Sequence, residues 1–317
     1  MRSPAASIAI LGFGRSGTTW MSDIVSKCSG EVILFEPFHP LVYDKSSSLC
    51  YHTEPTGAEF AVAQHVQDAT AKKKADKWML RNHINSPTDK LSLEFIKEVW
   101  DNISIIGFKS VRLNHAVKWI SDHVAQHVIF IIRHPMAVLA SLQNRPRFWE
   151  EFGWEFHWKI FLERTIHANY FESYLTSELQ KISNSLQSKI DRMTFMWAVT
   201  HMISLDQLRQ IEVEPLYYEE FYLDPFNQSK LLMKKLNVSH HPIHPSYLFT
   251  PSMTALRTLH GSSSFENKSE FPQFFWKSVF SHDQVKSIRY LLEKLATLDD
   301  NLDRLLIERY SSSTFGL

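Results

Sequence analysis

Residues 7–29, SIAILGFGRSGTTWMSDIVSKCS, leave this chain few ways to fold. An uninterrupted apolar run enters Gly12 and Gly14, a polar turn follows, and an amphipathic pattern continues to about residue 29. Apolar residues without polar alternation mark a strand buried on both faces, as in a parallel sheet covered by helices. The run therefore predicts a strand over 7–13, a glycine-rich turn, and a helix over 17–29. Further apolar runs predict strands at EVILFE (31–36), SIIGFKSV (104–111), HVIFIIR (127–133) and EPLYYEE (214–220). Helical patterns lie between them, near 58–78, 136–144 and 225–236. The fold class is α/β, with a central parallel sheet between two helical layers, and ligands are expected at the carboxyl ends of its strands.

Two regions break this rhythm. Residues 146–185 begin rich in aromatics, from Trp149 through Trp154, Trp158 and Phe161 to Tyr174, and read as a helical insertion before a helix near 187–209. Core packing of a helical hairpin and an acceptor pocket lined by aromatic faces both account for them. Residues 240–280 form a loop-rich stretch of Pro, Ser and His that is placed to close over a ligand. Beyond it, Ser281 to Gln284 spell a capping box, and Val285, Ile288, Leu292, Leu295, Leu298 and Leu302 give one final helix an apolar stripe. Without a repeat or a low-complexity linker, residues 1–317 read as one domain.

Composition narrows the function. Lys and Arg number 34 and balance 34 Asp and Glu, which argues against bulk binding to nucleic acid or an anionic membrane. Two cysteines, Cys28 and Cys50, exclude a disulfide framework, and a cytoplasmic protein is expected. The 16 histidines are scattered without metal-ligand spacing, so no metal is expected. His240, His241 and His244 cluster among prolines, and Lys72 to Lys74 read as a solvated helix face.

The turn at 12–19 carries the chemistry. A glycine-rich turn between strand and helix presents backbone N–H groups at the positive end of the helix dipole, where phosphate or sulfate oxygens bind. Ser16, Thr18 and Thr19 add hydroxyl donors. The ATP-binding form of such a loop reads G-x-x-x-x-G-K-[ST]. Counted from Gly12, the second glycine is Gly17, but Thr18 occupies the lysine's place and the cation is Arg15. A magnesium-bound triphosphate is poorly served by that arrangement. A guanidinium inside the loop suits charge developing between a donor and an acceptor.

GFGRSGTTW resembles the 5′-phosphosulfate loop of sulfotransferases that use 3′-phosphoadenosine 5′-phosphosulfate (PAPS), in the R-S-G form found in carbohydrate and tyrosylprotein members. The family's second signature is an arginine ending a strand and a serine eight residues on; FIIRHPMAVLAS supplies Arg133 and Ser141. YYEEFYLDP resembles the Y-E-D-x-x-x-D-P segment, with Tyr218 as the residue near adenine, and Trp20 sits where an aromatic stacks on that ring. FFWKSVFSHDQ resembles the stretch after the family's 3′-phosphate loop, for which this chain offers Arg257, Thr258 and Gly261. The resemblance implies a P-loop nucleotide-hydrolase-like fold and PAPS as co-substrate. Gly14, Arg15, Ser16, Gly17, Thr18, Thr19 and Trp20 would hold its 5′ side, and Arg133, Ser141, Tyr218, Arg257 and Gly261 the rest.

Sulfuryl transfer to a hydroxyl also needs a base. Cytosolic members take a histidine from a K-T-H-L-P strand; in FKSVRL, Lys109 is kept and Val111 replaces the histidine. Glu36, in LFEPFHP, ends the second strand at a separation from Arg15 similar to that of the glutamate base of tyrosylprotein members. His39 is the next candidate, and Lys109, Arg112 and Arg145 are candidate binding cations. The expected partner is a carbohydrate or small-molecule acceptor. A P-loop kinase and a non-catalytic nucleotide- or glycan-binding protein are the competing readings.

Overall fold

The computed structural model describes residues 6–39, 50–53, 64–66, 68–69, 77–80, 83, 92–143, 154–168, 170–238, 241 and 275–310. Five strands form one all-parallel sheet: β1 (Ala6–Gly12), β2 (Val32–Phe35), β3 (Ile105–Ser110), β4 (Ala125–Ile132) and β5 (Leu216–Tyr217), in the order β2-β3-β1-β4-β5. The first apolar run thus lies at the centre, with Ile8 opposite Gly107 of β3 on one side and His127 of β4 on the other. The approach to β3 is close: a Cβ on Gly107 would lie 2.0 Å from the Ile8 carbonyl oxygen, so a side chain there would push the two strands apart.

Alternate residues of β1 feed two cores, which is why its sequence shows no polar alternation. Ile8 and Ile10 pack with Ile33, Ile129 and Ile131 beneath α1 (Thr18–Ser29), together with Phe221, Leu232 and Met233 from later in the chain. Ala9 and Leu11 pack with Phe108 and Phe130 on the opposite face. Helices α2 (Leu93–Asn102), α3 (Val117–His123), α4 (Pro135–Gln143) and α7 (Lys189–Gln210) add buried residues to that second core. The three-layer α/β/α expectation holds.

The aromatic insertion contains α5 (Trp154–Thr165) and α6 (Ser173–Ser185). Trp158 and Phe161 of α5 are buried against Phe195 of α7, at ring-centroid separations of 5.9 and 6.3 Å. Those two residues are core; Tyr174 is 72% exposed. Two expectations are corrected. Only Leu216 and Tyr217 of the fifth run pair with the sheet, and Tyr218 opens a helix, α8 (Tyr218–Leu223). An edge strand with a single neighbour gains little from extension, and Tyr218, Phe221 and Tyr222 at helical spacing bury a stripe against Trp20 instead. Helix α9 (Pro225–Lys235) follows, with the Asp224 side chain accepting from the Asn227 N–H. The final helix is also two: a 3₁₀ turn (Phe275–Ser278) leads into α10 (His282–Ala296), and α11 (Asp300–Tyr310) starts afresh. The capping box at Ser281 forms as expected, and the break comes where the Asp299 carboxylate accepts from the Leu302 N–H at 2.8 Å. Among the described residues no helix is long and apolar enough to cross a membrane.

Candidate active site

The carboxyl ends of the strands converge on the turn between β1 and α1. The turn closes with the Ser16 N–H donating to the Phe13 carbonyl at 3.0 Å. Arg15 and Gly17 both adopt left-handed backbone, at φ 73° and 93°. For a non-glycine residue this costs on the order of 1 kcal/mol, so packing must hold Arg15 there. Helix α1 has glycine at its N-cap, no side-chain cap and no acid in its first turn, so its positive end has no fixed negative charge of its own. The Ser16 hydroxyl is fully buried and has no hydrogen-bond partner. Such a group costs about 1–3 kcal/mol, and an anion's oxygen in the loop would satisfy it.

Residues far apart in sequence tie the loop down. The Arg15 Nε donates to the Ser141 hydroxyl of α4 at 2.8 Å. The Arg133 Nη1, from the end of β4, donates to the Arg15 carbonyl at 3.1 Å. The Arg133 guanidinium lies 4.5 Å from the centroid of the Tyr218 ring, a cation–π distance. The same ring closes on Gly17, where a Cβ would come within 2.4 Å of it. Trp20 is buried edge-on to Tyr218 at 5.2 Å. Arg15, Gly17, Trp20, Arg133, Ser141 and Tyr218 are therefore one contact unit.

The second group lies at the ends of β2 and β3. Glu36, also left-handed at φ 43°, is 4% exposed, and the buried Lys109 donates to its Oε1 at 2.7 Å. The Val111 N–H reaches both carboxylate oxygens, at 3.2 and 3.3 Å. Burial pushes the Lys109 pKa down, while Glu36 and, less strongly, Asp23 oppose that shift. The His39 N–H donates to the Glu36 carbonyl at 2.9 Å, and its ring lies over Trp78 at 4.0 Å. Burial, with the Arg112 and Lys109 cations nearby, pushes the His39 pKa down to about 3. The Arg112 Nη1 contacts the Cys50 sulfur at 3.6 Å.

Three residues of the site escape sequence reasoning. Asn114 accepts from the Gly12 N–H at 3.1 Å and donates to the Val111 carbonyl at 2.9 Å, joining the ends of β1 and β3. Asp23, one helical turn beyond Thr19, is pushed up to about 7 by burial, with Lys27 and Lys109 pulling it down. Glu219 accepts from the His134 N–H at 2.9 Å. The only available signal was position: a polar residue one turn along the loop helix, or beside a motif residue. Arg145, Arg257, Gly261, Lys72 to Lys74, His240 and His244 lie outside the described residues. His241 belongs elsewhere, its N–H donating to the Cys28 carbonyl near the far end of α1. A groove of ≈ 440 Å³ opens there, lined by residues including Ser7, Glu31, Gln126 and His127.

No protein-family model matches the chain, and no curated protein matches it. Solved structures do. The sulfotransferase domain from the curacin biosynthetic pathway is 16% identical, with 93% of this chain and 99% of that one covered at a TM-score of 0.45. The sulfotransferase domain of the Synechococcus PCC 7002 olefin synthase is 15% identical over 92% and 95%, at 0.41. Mouse sulfotransferase SULT7A1 complexed with PAP is 11% identical over 97% and 90%, at 0.40. At identities this low and TM-scores below 0.5, these likenesses carry no weight for function, which has to be argued from the residues of the site.

Proposed function

We propose that this chain is a sulfotransferase, folded as one unit, that moves a sulfuryl group from PAPS to an acceptor hydroxyl. The observation that carries the reading is the joining of Arg15 to Ser141 and Arg133 at the start of α1, with Tyr218 against both Gly17 and Arg133. Residues from four elements thereby place two cations beside a loop whose buried Ser16 hydroxyl lacks a partner. In this reading the loop amides with Ser16, Thr18 and Thr19 hold the 5′-phosphosulfate, and Arg133 and Ser141 hold the 3′-phosphate.

The acceptor oxygen attacks sulfur, and the bond from sulfur to the 5′-phosphate oxygen breaks. The acceptor's proton passes to Glu36, and the electron pair stays on the departing phosphate oxygen, where Arg15 stabilises it. Adenosine 3′,5′-bisphosphate leaves. Lys109 holds Glu36 at rest, so the proton transfer requires that contact to loosen. His39, with its pKa held near 3, is the weaker base at neutral pH. No step calls for a metal, because fixed cations supply the charge. The R-S-G loop and the FEP strand favour a carbohydrate or small-molecule alcohol as acceptor.

The test is a pair of measurements on the full chain. Adenosine 3′,5′-bisphosphate is expected to raise the melting temperature, and ATP with Mg²⁺ to do so much less. Labelled PAPS with a panel of sugars and alcohols is expected to yield a sulfated product. A larger shift with ATP would replace the reading with a kinase-like one, and binding without product on any acceptor would leave a nucleotide-binding protein.

A further inference from the structure

One buried carboxyl group beside the donor site takes no part in the transfer chemistry. Glu219 is 3% exposed, and its Oε1 accepts from the His134 N–H at 2.9 Å, across 85 residues of chain. Its Oε2 is buried with no hydrogen-bond partner, and burial pushes its pKa up against the pull of that N–H and of the Arg133 cation. Its neighbour Tyr218 lies under the Arg133 guanidinium. Two consecutive residues of α8 thus grip two consecutive residues at the end of β4.

His134 passes this hold onward. Its Nδ1 accepts from the Met136 N–H at 3.2 Å in the first turn of α4, the helix that carries Ser141. Its ring is stacked on Trp276 at 6.0 Å and 8°, and meets Tyr310 edge-on at 4.9 Å. The peptide that Glu219 holds therefore joins Arg133 to the start of α4.

We propose that Glu219 is a positioning residue that sets selectivity for the donor's 3′-phosphate, by fixing through the His134 N–H the turn that carries Arg133 into α4. This rests on the donor reading above, in which Arg133 and Ser141 take that phosphate. A carboxylate on a backbone N–H is a strong acceptor, and its removal leaves that buried N–H without a partner. The loss should fall mainly on the 3′-phosphate, which Arg133 and Ser141 hold directly, and reach the 5′ loop only through their contacts with Arg15.

Titration calorimetry of the full chain with adenosine 3′,5′-bisphosphate and with adenosine 5′-monophosphate tests this. The wild type is expected to prefer the bisphosphate. Glu219→Ala should weaken the bisphosphate by about tenfold or more and leave the monophosphate little changed, so that the preference collapses. Glu219→Gln keeps an oxygen for the His134 N–H and should restore it. Glu219→Asp, which withdraws the carboxylate by one methylene, gives the same answer should the alanine variant fail to fold. Equal loss of both ligands, or an unchanged preference, overturns the proposal while the donor reading stands. A wild type that binds neither ligand overturns both.

Discussion

The proposed donor loop and the proposed acceptor rim hold their cations in opposite ways. Around the loop, the Arg15 Nε donates to the Ser141 hydroxyl, and Arg133 donates to the Arg15 carbonyl and lies over the Tyr218 ring. At the rim, Lys109 and Glu36 form a buried ion pair, with side chains 4% and 5% exposed. On the proposed reading the first group receives the anion as it stands, whereas the second must loosen the contact between Lys109 and Glu36. Removing one partner by substitution would leave the other charge buried and uncompensated, at about 3–5 kcal/mol. On the proposed reading, donor binding is a docking step, and activation of the acceptor is the step that moves protein.

Substitutions can break this contrast. Glu36→Gln should have the largest effect, lowering product formation by ~10²–10⁴-fold while bisphosphate affinity stays near wild type; an unchanged rate would move the base elsewhere, first to His39. Arg15→Ala should remove most turnover, on the order of 10²–10³-fold, with the circular dichroism of the wild type. Retained wild-type rates in that variant would sink the assignment. Gly17→Ala sets a methyl against Tyr218 on a left-handed backbone and should weaken bisphosphate binding and lower the melting temperature. A Tyr218→Ala background should relieve part of that melting loss, and strict additivity of the two changes would show that the clash does not matter.

Smaller effects are expected from pH. The buried His39 and His115 are held near pKa 3, and His157 and His201 near 4, each chiefly by burial. The unfolded chain takes up these protons below pH 6.5 and the folded chain does not. Stability should therefore fall as pH drops from 6.5 toward 4, which denaturant midpoints across that window would show. Asp23 works in the other sense: its pKa, raised to about 7, makes ionisation costly in the folded state, so its contribution worsens as pH rises from 3.8 to 7. Asp23→Asn should raise the melting temperature more at pH 8 than at pH 5, and an equal rise at both would contradict the shift.

Strands β1, β3 and β4 are legible because both faces of each are buried over most of its length, so each carries a continuous apolar run, such as residues 128–132 of β4. β5 was not, because an edge strand of two residues leaves almost no pattern, and its continuation satisfies helical spacing equally well. The glycine turn and the run from Arg133 to Ser141 point to the proposed donor site through spacing, and the structure brings Arg15, Arg133, Ser141 and Tyr218 together. The pairing of Lys109 with Glu36 depends on β2 lying beside β3, an adjacency that no local pattern encodes. Asn114 and Glu219 act through hydrogen bonds to the backbone of distant residues, which leave no local pattern in the sequence.

The contact between Gly17 and Tyr218 bears on the order in which the molecule is made. The loop leaves the ribosome early, with the glycine, the hydroxyls and the start of its helix already in sequence. The ring that closes it is added some two hundred residues later, after strands β1 to β4 are already in the chain. A nascent chain that stops before Tyr218 carries the loop's letters without its shape. On the proposed reading, competence to bind the donor should therefore arrive abruptly, when Tyr218 comes back to the loop.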